Sequence, residues 1–509
     1  MGENGQARRW WEERWFLVLV VLATMIPLLY PPIPPLVDLP GHLGHYRVEL
    51  DVDHDPLLQR YYGFSWAPIG NLGVDLLILP LAKLFGLELA VKLIVLAIPP
   101  MTAAGFLWVA REIHGPVPPT AIFALPFIYG FPFLFGFLNF ALSVALAFLG
   151  FGLWLHLARR EKLRLRSALF AAIAIPVFFA HIYGWSLLIL LCFSAEAVRI
   201  NGRGRSWIRA AIAAALQVSV MALPLVAMLI TPIHSAGGVG SGWFDWDAKW
   251  VGLMGVLRDR WGPFDVTSLE IAGLVILFAI VSPKLTFSRN LALAAILLAA
   301  CFILLPRYIF DSAYADVRLL PYLFAVALIA IGFREPRDRR LGNAFALLGL
   351  AFFAVRLAGT TVSLATASNQ QQTKLQALNV VPKGARVASF YGLAYAEPWA
   401  LYRDIHLGGL VIARRSGFSN DQWITAGHNL LELKYRDAGA FAASPSEVVR
   451  PNGTHDGVYR TIDEALAQVP RDKFDYVWLI NGPPYDHRFV RDLRLVWRGA
   501  GSELYRTAT

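Results

Sequence analysis

Cysteine is almost absent and charge is sparse. Cys192 and Cys301 are the only cysteines in 509 residues, and both sit inside apolar segments. That excludes a disulfide framework and a cysteine-based metal site. Charged residues make up 16% of the chain against 56% hydrophobic ones, with a mean hydropathy of +0.50. Soluble domains carry about a quarter of their residues as charges, so a soluble class is excluded. No short internal repeat is evident.

In place of charge the chain has repeated apolar stretches of 16 to 24 residues, long enough to cross a hydrocarbon core of about 30 Å. A polytopic α-helical membrane protein is the class this implies. The net charge of +10 does not point to nucleic acid, because the basic residues fall in short clusters between apolar segments, as cytoplasmic loops do. The first stretch, Trp15 to Tyr30, follows Arg8, Arg9 and Arg14 and is itself followed by prolines instead of a small-residue cleavage site. It reads as an uncleaved anchor.

Eleven spans are predicted near 15–31, 88–110, 117–134, 136–158, 167–182, 184–199, 207–230, 267–283, 291–306, 318–333 and 342–361. A twelfth segment, 71–86, is short and holds Asp75, Pro80 and Lys83, so it is read as a re-entrant or interfacial helix. With a cytoplasmic N-terminus, "ARREKLRLR" (158–166), "RINGRGRSWIR" (199–209) and "FREPRDRR" (333–340) all fall inside the cell. The cytoplasmic connections then hold 19 Lys and Arg against 7 outside, in keeping with the positive-inside rule. The expected location is a bacterial inner or plasma membrane. The expected division is a membrane domain, 1–365, with its first outer loop at 32–70, and an extracytoplasmic α/β domain, 366–509. In the latter, "ARVASFYG" (385–392) and "FDYVWLING" (474–482) read as buried strands, "TIDEALAQV" (461–469) as a threonine-capped helix, and "LRLVWRGAGSELYRT" (493–507) as a hairpin. His406, His428, His455 and His487 are too scattered for a metal motif and are read as surface or packing residues.

The first outer loop stands out. "PPLVDLPGHLGHYRVELDVDHD" (34–55) holds Asp38, His42, His45, Glu49, Asp51, Asp53, His54 and Asp55 within eighteen residues. Pro40 disfavours helix at Leu39, so a helix is expected from about Gly41, with His42, His45 and Glu49 on one face. Asp38 then stands just before it, either as a helix cap or as a base able to take a proton from an acceptor hydroxyl or amine. In "DVDHDP", Asp51 and Asp53 are either exposed loop or oxygen ligands for a hard cation such as Mg or Mn. His181 and Asn139 lie at the ends of apolar spans, where ionisable and polar groups are costly and become functional candidates. Arg307 and Arg318 bracket "RYIFDSAYADVR"; an arginine fork fits phosphate oxygens, and the same residues could snorkel or pair with Asp311 or Asp316. Arg60 is a further candidate on the outer side. "GWFDWDAKW" (242–250) reads as an interfacial aromatic belt or as a sugar platform.

The layout of one span, a long outer loop opening with an acid and a helix, many further spans and a small exported domain resembles the GT-C superfamily. These multispan glycosyltransferases include protein O-mannosyltransferases and aminoarabinose transferases. Asp38 in "PLVDLPGHLGHYRV" matches the first acid of the family's loop motif, and Leu39 stands where a second acid usually follows. The resemblance implies a polyprenyl-phosphate sugar donor met at the membrane lipid surface and transfer with inversion to an extracytoplasmic glycan, lipid or protein. It also implies Asp38 as general base, Arg318 on the donor phosphate, and His42, His45 and His181 lining the site. Two rival readings stay open. A transporter or flippase of a lipid-linked or anionic substrate would place its ionisable residues at mid-membrane and show symmetric halves, neither of which is visible. An envelope-assembly scaffold would leave the loop cluster unused.

Overall fold

The computed structural model describes residues 9–226, 240–309, 312–335, 338–393, 399–424, 429–452 and 459–507. His428, His455 and Asp311 lie outside them.

Among the described residues, six helices are long and apolar enough to cross a bilayer: Leu87–His114, Leu138–Arg159, Leu163–Ala180, Ile182–Asn201, Gly262–Val281, and Arg339–Leu375 with its continuation to Val380. Shorter apolar helices stand at the other five expected positions: Arg14–Ala23, Pro119–Phe135, Trp207–Ala222, Arg289–Leu304 and Leu320–Ile329. Proline explains part of the shortening. Pro119 and Pro126 lie in a 3-10 stretch, Pro119–Tyr129, that only then gives way to a short α-helix, Phe131–Phe135; each proline removes a backbone donor. The doubtful twelfth segment is a 13-residue helix, Gly73–Phe85, and at 1.5 Å per residue it is about 20 Å long, short of the hydrocarbon core. Leu274, Leu277, Ile280, Ile208, Ile212 and Leu216 are exposed on the outer faces of their helices, a surface suited to lipid and not to water.

The Arg339–Leu375 helix runs through residue 365 and delivers the chain to a six-stranded sheet. Strands Arg386–Gly392 and Tyr476–Ile480 pair in parallel at its centre, and Val387, Phe390, Val477, Trp478 and Ile480 are all fully buried. On one side Ser502–Arg506 adds antiparallel to Tyr476–Ile480 and hairpins with Arg494–Gly499. Ala500 and Gly501, both with positive φ, form the hairpin's turn. The predicted helix is Ile462–Gln468, opened by a capping box between Thr461 and Glu464.

Among the contacts that lock this domain to loop 32–70, two bring backbones together. The helix Leu39–Asp51 crosses the tail helix Gly409–Arg415 where Gly44 and Gly409 let the backbones meet; a Cβ on Gly44 would stand 2.8 Å from the Gly409 carbonyl oxygen. Strand Tyr62–Phe64 of the loop also pairs antiparallel with Leu431–Leu433 of the tail. One apolar core runs continuously from the membrane helices into the sheet domain.

Candidate active site

A cavity of about 220 Å³ opens where loop 32–70, the ends of several membrane helices and the tail domain meet. Of the residues singled out in the sequence, Asp38, His42, His45, Asn139, His181 and Arg318 line it. The rest do not. Arg60 is exposed at the end of the short helix Pro56–Gln59. Arg307 lies over the Tyr314 ring, its backbone tied to Gly242 and Ala315. Asp51, the last residue of the helix Leu39–Asp51, is paired with Arg47 at 2.6 Å, and Asp53 is exposed.

Asp38 occupies the N-cap position of Leu39–Asp51, yet its side chain makes no capping hydrogen bond. Its backbone N–H donates to Phe135 O at 2.8 Å, and its C=O accepts from His42 N at 3.0 Å. Gly136, with φ +105°, makes room: a Cβ there would come within 2.9 Å of the Asp38 nitrogen. The carboxylate is thus fixed by backbone and left free to react. It is only 8% exposed, and burial pushes its pKa up to about 7 against the pull of His406 and Arg318.

His406 is the functional residue the sequence did not single out. Its Nε2 lies 3.8 Å from Asp38 Oδ1, and its Nδ1 bonds Asp421 Oδ1 at 2.6 Å. Asp421 Oδ2 accepts from Gly409 N at 2.9 Å, and Glu447 Oε1 stands 3.8 Å from Nδ1. Burial opposes the imidazolium, but Asp421, Asp38 and Glu447 outweigh it and raise the His406 pKa to about 9. The result is a protonated histidine beside a carboxylate of neutral pKa. Trp423 packs against both His406 and His42, with ring centroids 4.6 and 5.3 Å away. Burial, together with His45, lowers the His42 pKa to about 4, so that imidazole is neutral.

Arg318 supplies the positive wall. It is 6% exposed and stacks on Phe137 with its guanidinium 4.0 Å from the ring centre. Nη2 donates to Ser312 Oγ and to Ala313 O, both at 2.9 Å, while Nε has no partner. Pairing with Asp316 does not occur, because that carboxylate is held by Lys249 at 3.1 Å. His181 caps Ile182–Asn201, its Nδ1 accepting from Tyr183 N at 3.1 Å. Asn139 spends its amide on structure: Oδ1 accepts from Val74 N at 2.6 Å, and Nδ2 donates to Asn71 O and Asp75 Oδ2 at 2.9 and 3.0 Å. Asp75 in turn bonds His45 Nε2 at 3.1 Å.

No family model and no curated protein matches the chain. Among the solved structures that align with it are two of ArnT from Cupriavidus metallidurans. The apo form has a TM-score of 0.49 at 12% identity, covering 96% of this chain and 97% of that one. The form bound to undecaprenyl phosphate has 0.46 at 10%, covering 96% of each. Likeness at this level is no evidence of shared activity.

Proposed function

We propose that this protein is a membrane glycosyltransferase that moves a sugar from a polyprenyl-phosphate donor to an extracytoplasmic acceptor. The observation that carries the proposal is the meeting, in one cavity, of a carboxylate that makes no capping hydrogen bond with an arginine that forms no salt bridge to any described carboxylate. The first is suited to accept a proton, the second to receive a phosphate.

In the step this implies, Asp38 takes the proton of an acceptor hydroxyl as that oxygen forms its bond to the anomeric carbon. The bond from that carbon to the phosphate oxygen breaks, its electron pair leaves with the polyprenyl phosphate, and the configuration inverts. Arg318 stabilises the charge that develops on the leaving phosphate, an effect strengthened by its low-dielectric setting. A lipid-borne donor has to be met at the bilayer surface, and Arg318 sits just before an apolar helix, Leu320–Ile329. His406 stands 3.8 Å from Asp38 and does not line the cavity, so it is a positioning residue: its charge favours the ionised form of the neighbouring carboxylate. The reading therefore makes Asp38 the base and not His406, whose proton three carboxylates retain.

The test is transfer by the purified chain in lipid, given a panel of polyprenyl-phosphate sugars. Asp38→Asn keeps the side chain's size and removes its basicity. A loss of about 100-fold or more in kcat is expected for a general base. Parent-like turnover by the variant would refute the assignment.

A further inference from the structure

Beside the base and the phosphate wall lies a second cluster for which the transfer step has no use. We propose that His45, Glu49 and Asp75 bind one divalent transition-metal ion of the zinc class, in the wall of the same cavity. The inference does not rest on the transfer reading.

His45 and Glu49 stand four residues apart on one face of Leu39–Asp51, and Asp75 comes from the first turn of Gly73–Phe85. His45 Nε2 is 3.1 Å from Asp75 Oδ1 and 4.0 Å from Glu49 Oε2. One ligand atom from each residue lies within 4.8 Å of the other two. Ligands bonded tetrahedrally at about 2.0–2.2 Å lie roughly 3.4 Å apart, so small side-chain shifts bring all three onto one ion.

The state of Glu49 is the second observation. Its side chain is fully buried, and neither carboxylate oxygen has a hydrogen-bond partner. A buried carboxylate left in that condition is costly. The nearest basic residue on its helix, Arg47, is committed to Asp51 and Asp55. A divalent ion would balance Glu49 and Asp75 together. Asp75 is also turned the right way, because Asn139 holds Oδ2 and leaves Oδ1 directed toward His45, as an outer partner does for a metal-ligating carboxylate.

The other cluster of comparable make-up differs on this point. In His406, Asp421 and Glu447, both Asp421 oxygens and one Glu447 oxygen carry hydrogen bonds, so the protein already satisfies most of it. One imidazole with two carboxylates suits zinc-like ions better than Mg, which favours an all-oxygen shell with retained waters. Because His45 and Asp75 face the cavity and Glu49 does not, the ion's remaining position opens toward the cavity.

The experiment is metal binding by the whole chain in detergent, stripped with a chelator, dialysed, and titrated with Zn2+ alone. One equivalent is expected on the parent. Glu49→Gln and Asp75→Asn should each weaken it by roughly tenfold or more, whereas Asp53→Asn and Glu447→Gln should bind as the parent does. X-ray absorption at the zinc edge of the loaded parent needs no variant; it should show nitrogen and oxygen neighbours including one imidazole. No bound equivalent, unchanged affinity in a folded Glu49→Gln, or a sulfur-containing shell would each overturn the assignment.

Discussion

At the scale of single residues, the central contact is His406 Nε2 at 3.8 Å from Asp38 Oδ1, close enough for each charge to favour the other. Burial raises Asp38 to about 7, and the His406 cation holds it from going higher. A base must be ionised to work, so the acid limb of kcat/KM in the parent should rise through about pH 7. His406→Asn removes the cation, which moves the Asp38 pKa up and the limb toward alkaline pH. Activity at pH 7 should fall and part of it should return at higher pH. A pH–rate profile measures this directly; a variant whose limb stays near pH 7 would show that the 3.8 Å contact carries no coupling. Sequence reading singled out Asp38, His42 and His45 by the crowding of ionisable groups in one loop, and Asn139, His181 and Arg318 because each borders an apolar span, signals that need no partner to be seen. It dismissed His406 because the value of that residue lies wholly in Asp38 and Asp421, and no spacing rule joins positions so far apart in the chain.

At the scale of elements, the helix Leu39–Asp51 matters because of what lies against it. Leu39 removes the second acid that the resemblance led one to expect, and two other carboxylates reach the same neighbourhood from elsewhere: Asp75 from the next helix and Asp421 from the tail. Both depend on close packing. Gly44 of Leu39–Asp51 meets Gly409 of the tail helix backbone to backbone, and Gly409 N is also the donor that fixes Asp421. Gly44→Ala inserts a methyl 2.8 Å from the Gly409 carbonyl oxygen, where neither backbone can yield cheaply. The expected cost is about 1–3 kcal/mol, read as a lowered thermal transition in detergent with reduced turnover. A variant as stable and active as the parent would mean the two helices do not need this contact. Local signals were enough to read the elements themselves. The Thr461 cap, the apolar run ended by Gly392, and the turn at Ala500 and Gly501 each act over a few residues. The crossing of two glycine-bearing helices is a tertiary event, and the glycines in "PGHLGH" and "LGGL" carry no mark of it.

At the scale of the whole molecule, the tail is part of the site and not an appendage, and one buried arginine shows how it is held. Arg403 donates to Pro35 O at the start of the first outer loop and pairs with Asp259 at 2.6 Å. Asp259 also accepts from Ser363 Oγ of the long Arg339–Leu375 helix, again at 2.6 Å. Three regions that the chain order separates (first loop, late membrane helices and tail) therefore converge on one ion pair whose side chains are 6% and 3% exposed. Lys374 and Asp404 add a second clasp at 2.6 Å. Deleting one partner of a buried pair leaves the other charge without compensation, at a cost of about 3–5 kcal/mol. Arg403→Met keeps the apolar stem and removes the charge, so Asp259 keeps Ser363 but loses its cation. If this clasp seats the tail over the cavity, the variant should show a lower thermal transition and faster hydrogen exchange in 399–424, with turnover falling because His406 and Trp423 no longer sit against Asp38 and His42. The membrane helices need not unfold, since their apolar faces remain in lipid. Exchange that rises equally across the helices would point instead to general loss of structure, and unchanged exchange in the tail would mean that the glycine crossing, the strand pairing and the Lys374–Asp404 clasp seat the sheet domain without Arg403.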